Sequence, residues 1–276
     1  MTIQLIFNAD DYGLTPEVSR GIREAHLHGL VTSTTCMMNL PGTADEIRIA
    51  LDLAPALGLG VHLTLTAGSP LLPPDEVSTL CDSAGKFHKL GQLIPGLESI
   101  NVDEVQAEWR AQIQAFVRAA KRKPTHLDSH HHSSYFTPKF FRAMLELARE
   151  YDCAIRLPVV DKTSLTVTGL PEVVTAGIQK EIASLVHEFN PRTPHGFLAE
   201  FYDDHATQEK ILEFITTQKD GAFEIMCHPG YCDDTLLTIS SYARQREFEL
   251  RVLTDPTLQK AIHERGIKLV DFASAG

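Results

Sequence analysis

Strand-like and helical patterns alternate from one end of this sequence to the other, and that alternation restricts the fold more than any other feature. Thr2–Asn8 (TIQLIFN) is an apolar β-type run that stops at Asp10-Asp11-Tyr12-Gly13. A helix follows, with Thr15 as cap and Pro16 at the first helical position, where the missing N–H costs nothing. Val18, Ile22 and Ala25 keep helical spacing, and Gly29 suits the C-terminal turn. Val31–Met38 is strand-like, Thr43–Leu57 helical and Gly60–Thr66 a strand. Val102–Lys121 reads as an amphipathic helix, Pro124–His130 as strand, Pro138–Tyr151 as helix, Cys153–Val159 as strand and Thr175–Phe189 as helix. After a Pro-broken segment, Thr193–Glu200, come a helix over His205–Lys219 and a strand over Ala222–His228. Ser241–Arg265 forms one helix, or two broken at Pro256, and Ile267–Phe272 is the last strand.

Such alternation implies a parallel sheet with helices outside it. About seven units in 276 residues predict an α/β fold, a single-domain deformed (β/α) TIM-like barrel over 1–276. The stretch 67–99, with Pro70, Pro73 and Pro74, reads as a long excursion off that scaffold, and loops of such length are usually functional or mobile.

Composition narrows the partners. The formal net charge is −11 without basic runs, which argues against nucleic acid or an anionic membrane. No apolar run approaches the ~20 residues of a membrane span, and Met1–Phe7 is too short and lacks the cationic start of a secretory signal. Five scattered cysteines without a CxxC fit a reducing, cytoplasmic setting.

In a parallel barrel, function collects at the C-terminal strand ends. Here those ends carry Asp10 and Asp11, His62, the run Thr125–His132 (THLDSHHH) and His228. Strand period two puts His126, Asp128 and His130 on one face, with Leu127 on the side meeting the helices. Ionisable groups turned inward cannot stay unpaired, and a cation held by one carboxylate and two imidazoles would resolve this. Adjacent Asp10 and Asp11 would diverge in a straight strand, so a turn at Tyr12-Gly13 is expected to bring both to one pocket. His131 and His132 read as solvated loop residues. Arg156, near another strand end, is either a surface ion-pair partner or an orienting group for a carboxylate or substrate oxygen.

The stretches Asn8–Leu14 (NADDYGL), Gly29–Thr35 (GLVTSTT), Gly60–Leu63 (GVHL), Arg122–His132 (RKPTHLDSHHH) and Glu224–Pro229 (EIMCHP) resemble the YdjC-like carbohydrate deacetylases. The resemblance implies a deformed barrel that removes acetyl groups from N-acetylated sugars with a divalent cation. Carried across position by position, it implies Asp11, His62 and His130 as metal ligands, Asp10 as catalytic base and His228 as acid. The reference pKa of a histidine, about 6.5, suits that acid role. His126, Asp128 and Arg156 are candidates for supporting the ligands or contacting substrate. The resemblance implies Mg²⁺, whereas two imidazoles and one carboxylate suit Zn²⁺ or another transition metal better. Two other readings stay open: a barrel metallohydrolase acting on phosphoesters or cyclic amides, for which His130-x-His132 has a suitable spacing, and an inactive sugar- or metal-binding protein. A homodimer is the base-rate expectation for assembly.

Overall fold

The computed structural model describes residues 3–159 and 176–275. Strand β1 (Ile3–Tyr12) lies at the centre of the sheet. On one side it pairs with β2 (Ser33–Cys36), and the sheet continues through β3 (Gly58–Leu63), β4 (His126–Ser129) and β5 (Ala154–Ile155). On the other side it pairs with β7 (Gly221–Cys227), which pairs with β6 (Gly196–Leu198). Every pairing is parallel, and the short β8 (Lys268–Leu269) also joins β1. Among the described residues no ladder joins β5 to β6, so the sheet is a curled half-barrel. This is the deformed α/β barrel that the alternation predicts.

The helices are α1 (Pro16–Leu27), α2 (Thr43–Leu53), α3 (Leu90–Leu93), α4 (Val102–Ala120), α5 (Pro138–Tyr151), α6 (Ala176–Phe189), α7 (Gln208–Thr217), α8 (Asp234–Ile239), α9 (Gln245–Leu253) and α10 (Pro256–Glu264). One local rule starts several of them. A hydroxyl or carboxylate accepts the N–H three residues on, as Thr15 does from Val18 and Thr137 from Phe140, with proline just inside. Leu5 and Phe7 of β1, with Trp109 and Phe116 of α4 and Phe140 and Phe141 of α5, are among the fully buried side chains of the core.

Several boundaries differ from expectation. Thr2 and Thr175 lie outside the described residues. The Pro-broken segment contains β6, because Gly196–Leu198 pairs with Phe223–Ile225. The helix expected from His205 begins after Thr207, whose hydroxyl accepts from the Lys210 amide. Ser241–Arg265 contains two helices, with Asp255 capping the second ahead of Pro256.

The 67–99 excursion is packed rather than loose, with Val77, Leu80, Phe87 and Leu93 buried. One face of α4 holds it and the strand end before it, through Glu104, Glu108 and Gln112 at helical i, i+4 spacing. Glu104 accepts from the Thr79 amide, Glu108 from the amides of Leu71 and Leu72, and Gln112 bonds both N–H and C=O of Thr64.

Candidate metal centre

Asp10 and Asp11 both lie inside β1, so a straight strand would send their side chains to opposite faces. Asp11 instead takes a left-handed backbone, φ 69°, and the pairing of β1 with β2 shifts between Ala9 and Tyr12. This bulge re-aims the carboxylate. The turn expected at Tyr12-Gly13 follows directly, with Gly13 at φ 94° and the Leu14 amide donating to the Asp11 carbonyl at 3.0 Å.

Around Asp11 three atoms converge. Its Oδ1 lies 3.3 Å from His62 Nε2 and 3.2 Å from His130 Nδ1. His62 Nδ1 donates to Asp128 Oδ1 at 2.7 Å, so that in the neutral ring Nε2 turns its lone pair toward Asp11. Asp11 Oδ2 accepts from Arg246 at 2.6 Å, while Oδ1 is buried without a hydrogen-bond partner. With neither a proton nor a cation between them, these buried lone pairs would repel. A cation is the group that satisfies all three at once, so these donors fit one.

Asp10, His62 and Asp128 also approach one another closely enough to suggest a metal group, but Arg156 already serves those carboxylates. Its guanidinium, fully buried, donates twice to Asp10 at 2.7 Å, lies 3.0 Å from Asp128 Oδ2 and donates to Glu224 at 2.7 Å. The orienting reading of Arg156 is the one its geometry matches; it is not on the surface.

The charges explain the titration. Five buried carboxylates here, Asp10, Asp11, Asp128, Glu224 and Glu249, face two buried guanidiniums, Arg156 and Arg246. Burial works against the charge on Asp10, but Arg156 outweighs it and holds Asp10 well below the usual carboxylate range. Burial likewise opposes the charge on Asp11, and Arg246 together with the His130 and His62 rings holds it well below that range. Burial also opposes a charged His62, yet Asp128, Asp11 and Asp10 push it up to about 10. A proton and a cation thus compete for the same place. Burial raises Glu224 to about 8 and Glu249 to about 7.

His228 departs from expectation. Burial, reinforced by Arg246 and Arg156, outweighs Asp10 and Asp11 and lowers the ring to about 4, so it rests neutral rather than near 6.5. Its Nε2 is 3.9 Å from Asp10 Oδ2 and its Nδ1 3.9 Å from Glu249 Oε1. Glu249 accepts from the His228 backbone amide, and from the Tyr242 hydroxyl at 2.5 Å.

Of the residues singled out in the sequence, Asp10, Asp11, His62, Asp128, His130, Arg156 and His228 come together. His126 does not join the ligand cluster. Its ring stacks on Phe272 at 3.7 Å and its Nδ1 meets Thr125 Oγ1 at 2.9 Å. His130 is not on a strand, since β4 ends at Ser129 and a 3₁₀ turn carries it. Glu224, Arg246, Glu249 and Tyr242 were missed. Glu224 had a signal, because period two along β7 puts it on the same side as Met226 and His228.

The pairing of Asp10 and Asp11 has a pH consequence. Their folded pKa values lie below the unfolded ones, so their contribution to stability is fully present above about 4 and is lost as pH falls through the folded values. In chelator-treated protein the thermal midpoint is expected to fall below about pH 4, and Asp10→Asn to remove part of that fall. Identical acid profiles for wild type and variant would contradict the pairing.

The YdjC-like protein family model matches residues 4–264. A carbohydrate deacetylase of Thermoanaerobacter pseudethanolicus is 34% identical over 270 residues, spanning 98% of each chain. A chitooligosaccharide deacetylase of Yersinia pestis (strain Pestoides F) is 35% identical over 274 residues, spanning 97% of each. The crystal structure of an Enterococcus faecalis V583 protein, proposed to be a cellobiose-phosphate cleavage protein, matches with a TM-score of 0.86 at 35% identity and covers 100% of both chains.

Proposed function

Because the chain belongs to the YdjC-like family, we propose that it is a metal-dependent carbohydrate deacetylase, hydrolysing the acetamide of an N-acetylated sugar to an amino sugar and acetate. The observation that carries the metal is the buried, unpartnered Asp11 Oδ1 facing His62 Nε2 and His130 Nδ1. These three residues would hold one divalent cation, which would polarise the acetyl carbonyl and acidify water. The donor set favours Zn²⁺ or another transition metal over the Mg²⁺ that family resemblance implies.

In this reading Asp10 accepts the proton of the attacking water. Arg156 fixes both its oxygens and keeps it ionised, and Glu224 and Asp128 fix Arg156 in turn. The hydroxyl joins the acetyl carbon, the C–N bond breaks, and the amine nitrogen needs a proton. His228 rests neutral, so it must first acquire that proton. Asp10 Oδ2, 3.9 Å from His228 Nε2, is placed to pass on the one taken from water. Glu249, behind Nδ1, stabilises the imidazolium while it exists. His228 is thus a proton carrier rather than a standing acid.

The chain acts as one catalytic domain over 1–276, in a reducing, cytoplasmic setting that suits its five free thiols. No helix among the described residues is long and apolar enough to cross a membrane. The phosphoesterase alternative drew on His130-x-His132, but His132 is in neither group of close ligand atoms. The test is acetate release from N-acetylglucosamine, its 6-phosphate, and N,N′-diacetylchitobiose with and without phosphate. One acetate per amine freed from at least one of them is expected. Metal-replete protein that frees none, while cleaving a phosphoester, would overturn the reading.

A further inference from the structure

His131 and His132 follow the ligand His130 directly and both have left-handed backbones, φ 54° and 56°. Neither is glycine, so each holds a strained backbone. Two in succession persist only where the surroundings hold them. For His131 the holding contacts are clear. Its ring lies on the ring of His130, centroids 3.9 Å apart, and its Nδ1 meets Thr66 Oγ1 at 2.9 Å. Thr66 stands where the 67–99 excursion begins. That end is itself fastened, because Gln112 bonds Thr64 and the Asn39 amide donates to the carbonyls of Ala67 and Ser69. Yet the residue so firmly placed is exposed. A ring turned back over the half-buried His130, tied at one nitrogen and open to solvent, differs from a solvated loop side chain.

We propose that His131 is a specificity-determining residue, contacting through Nε2 a hydroxyl of the sugar that lies over the Asp11–His62–His130 cluster. The proposal rests on the deacetylase reading for the identity of its ligand. A hydroxyl suits the geometry because it both donates and accepts, so it satisfies Nε2 in whichever tautomer the Thr66 contact selects. The excursion then acts on substrate choice through Thr66, which sets the angle of the ring.

His131→Asn tests this, since asparagine tolerates the left-handed backbone while removing the ring. Loss of one hydrogen bond predicts a KM for N,N′-diacetylchitobiose raised about three- to ten-fold, with kcat within about two-fold and metal content per chain unchanged. Thr66→Val, which releases the ring without removing it, is expected to raise KM in the same direction by less. Titration of N,N′-diacetylchitobiose into the chelator-treated proteins gives a second readout, in which His131→Asn is expected to weaken binding by a similar factor. Unchanged KM and binding in His131→Asn would overturn the proposal, as would loss of metal or a fall in kcat alone. If wild type binds the sugar and frees no acetate, the deacetylase reading fails and the titration still decides the role of His131.

Discussion

Asp10→Asn is expected to lower kcat by about 10²–10⁴ while the protein keeps its full complement of divalent ion. Asparagine has nearly the size of aspartate and still offers Arg156 a carbonyl oxygen, but it cannot take a proton from water. It also interrupts the path to His228, whose Nε2 lies 3.9 Å from Asp10 Oδ2. His228→Ala should show a fall of the same order, again with metal retained, because the ring touches neither Asp11 nor a ligand histidine within hydrogen-bond distance in this site. Combining the two substitutions should cost far less than the product of the single effects, since both break one proton path. The measurements are steady-state acetate release and metal content of the same preparations. Asp10→Asn with kcat within about ten-fold of wild type would remove Asp10 from the role of base.

His62→Ala and His130→Ala are expected to behave differently, losing metal and turnover together. Each deletes one of three donors in a cluster where Asp11 has its other oxygen committed to Arg246. In wild type, chelation should abolish turnover and re-addition of ion should restore it. In either variant, excess ion should restore little. His62→Ala carries an added cost, because Asp128 then loses the imidazole that donates to it and keeps Thr35 at 3.0 Å and Arg156 at 3.0 Å. Metal content near wild type in both variants would show that the ion, if any, sits elsewhere.

How legible the site was depended on the kind of signal each residue carries. Helix α5 was readable to the residue because Thr137 and Pro138 start it by purely local chemistry. Asp128 was readable as inward-facing because β4 keeps period two over His126–Ser129. The strand read through His130 ends at Ser129, so His130 reaches Asp11 from a 3₁₀ turn, and the ring of His126, a candidate for supporting the ligands, stacks on Phe272. The bulge at Asp11 depends on the register between β1 and β2, which no local pattern encodes. Arg246 and Glu249 were hidden for a different reason. Polar residues on an amphipathic helix read as solvent-facing, and only the packing of α9 against the sheet end brings them to Asp11 and His228. The titration of His228 followed from that concealment, since Arg246 helps to keep its ring neutral.

Asp11, His62 and His130 are expected to grip a single ion. Crystals of the metal-replete protein, measured above and below the absorption edge of the bound metal, report this directly. The predicted result is one anomalous peak per chain, coordinated by Asp11 Oδ1, His62 Nε2 and His130 Nδ1 together, with Arg156 still paired to Asp10. A catalytically active crystal form whose only anomalous peak lies away from those three atoms would contradict it.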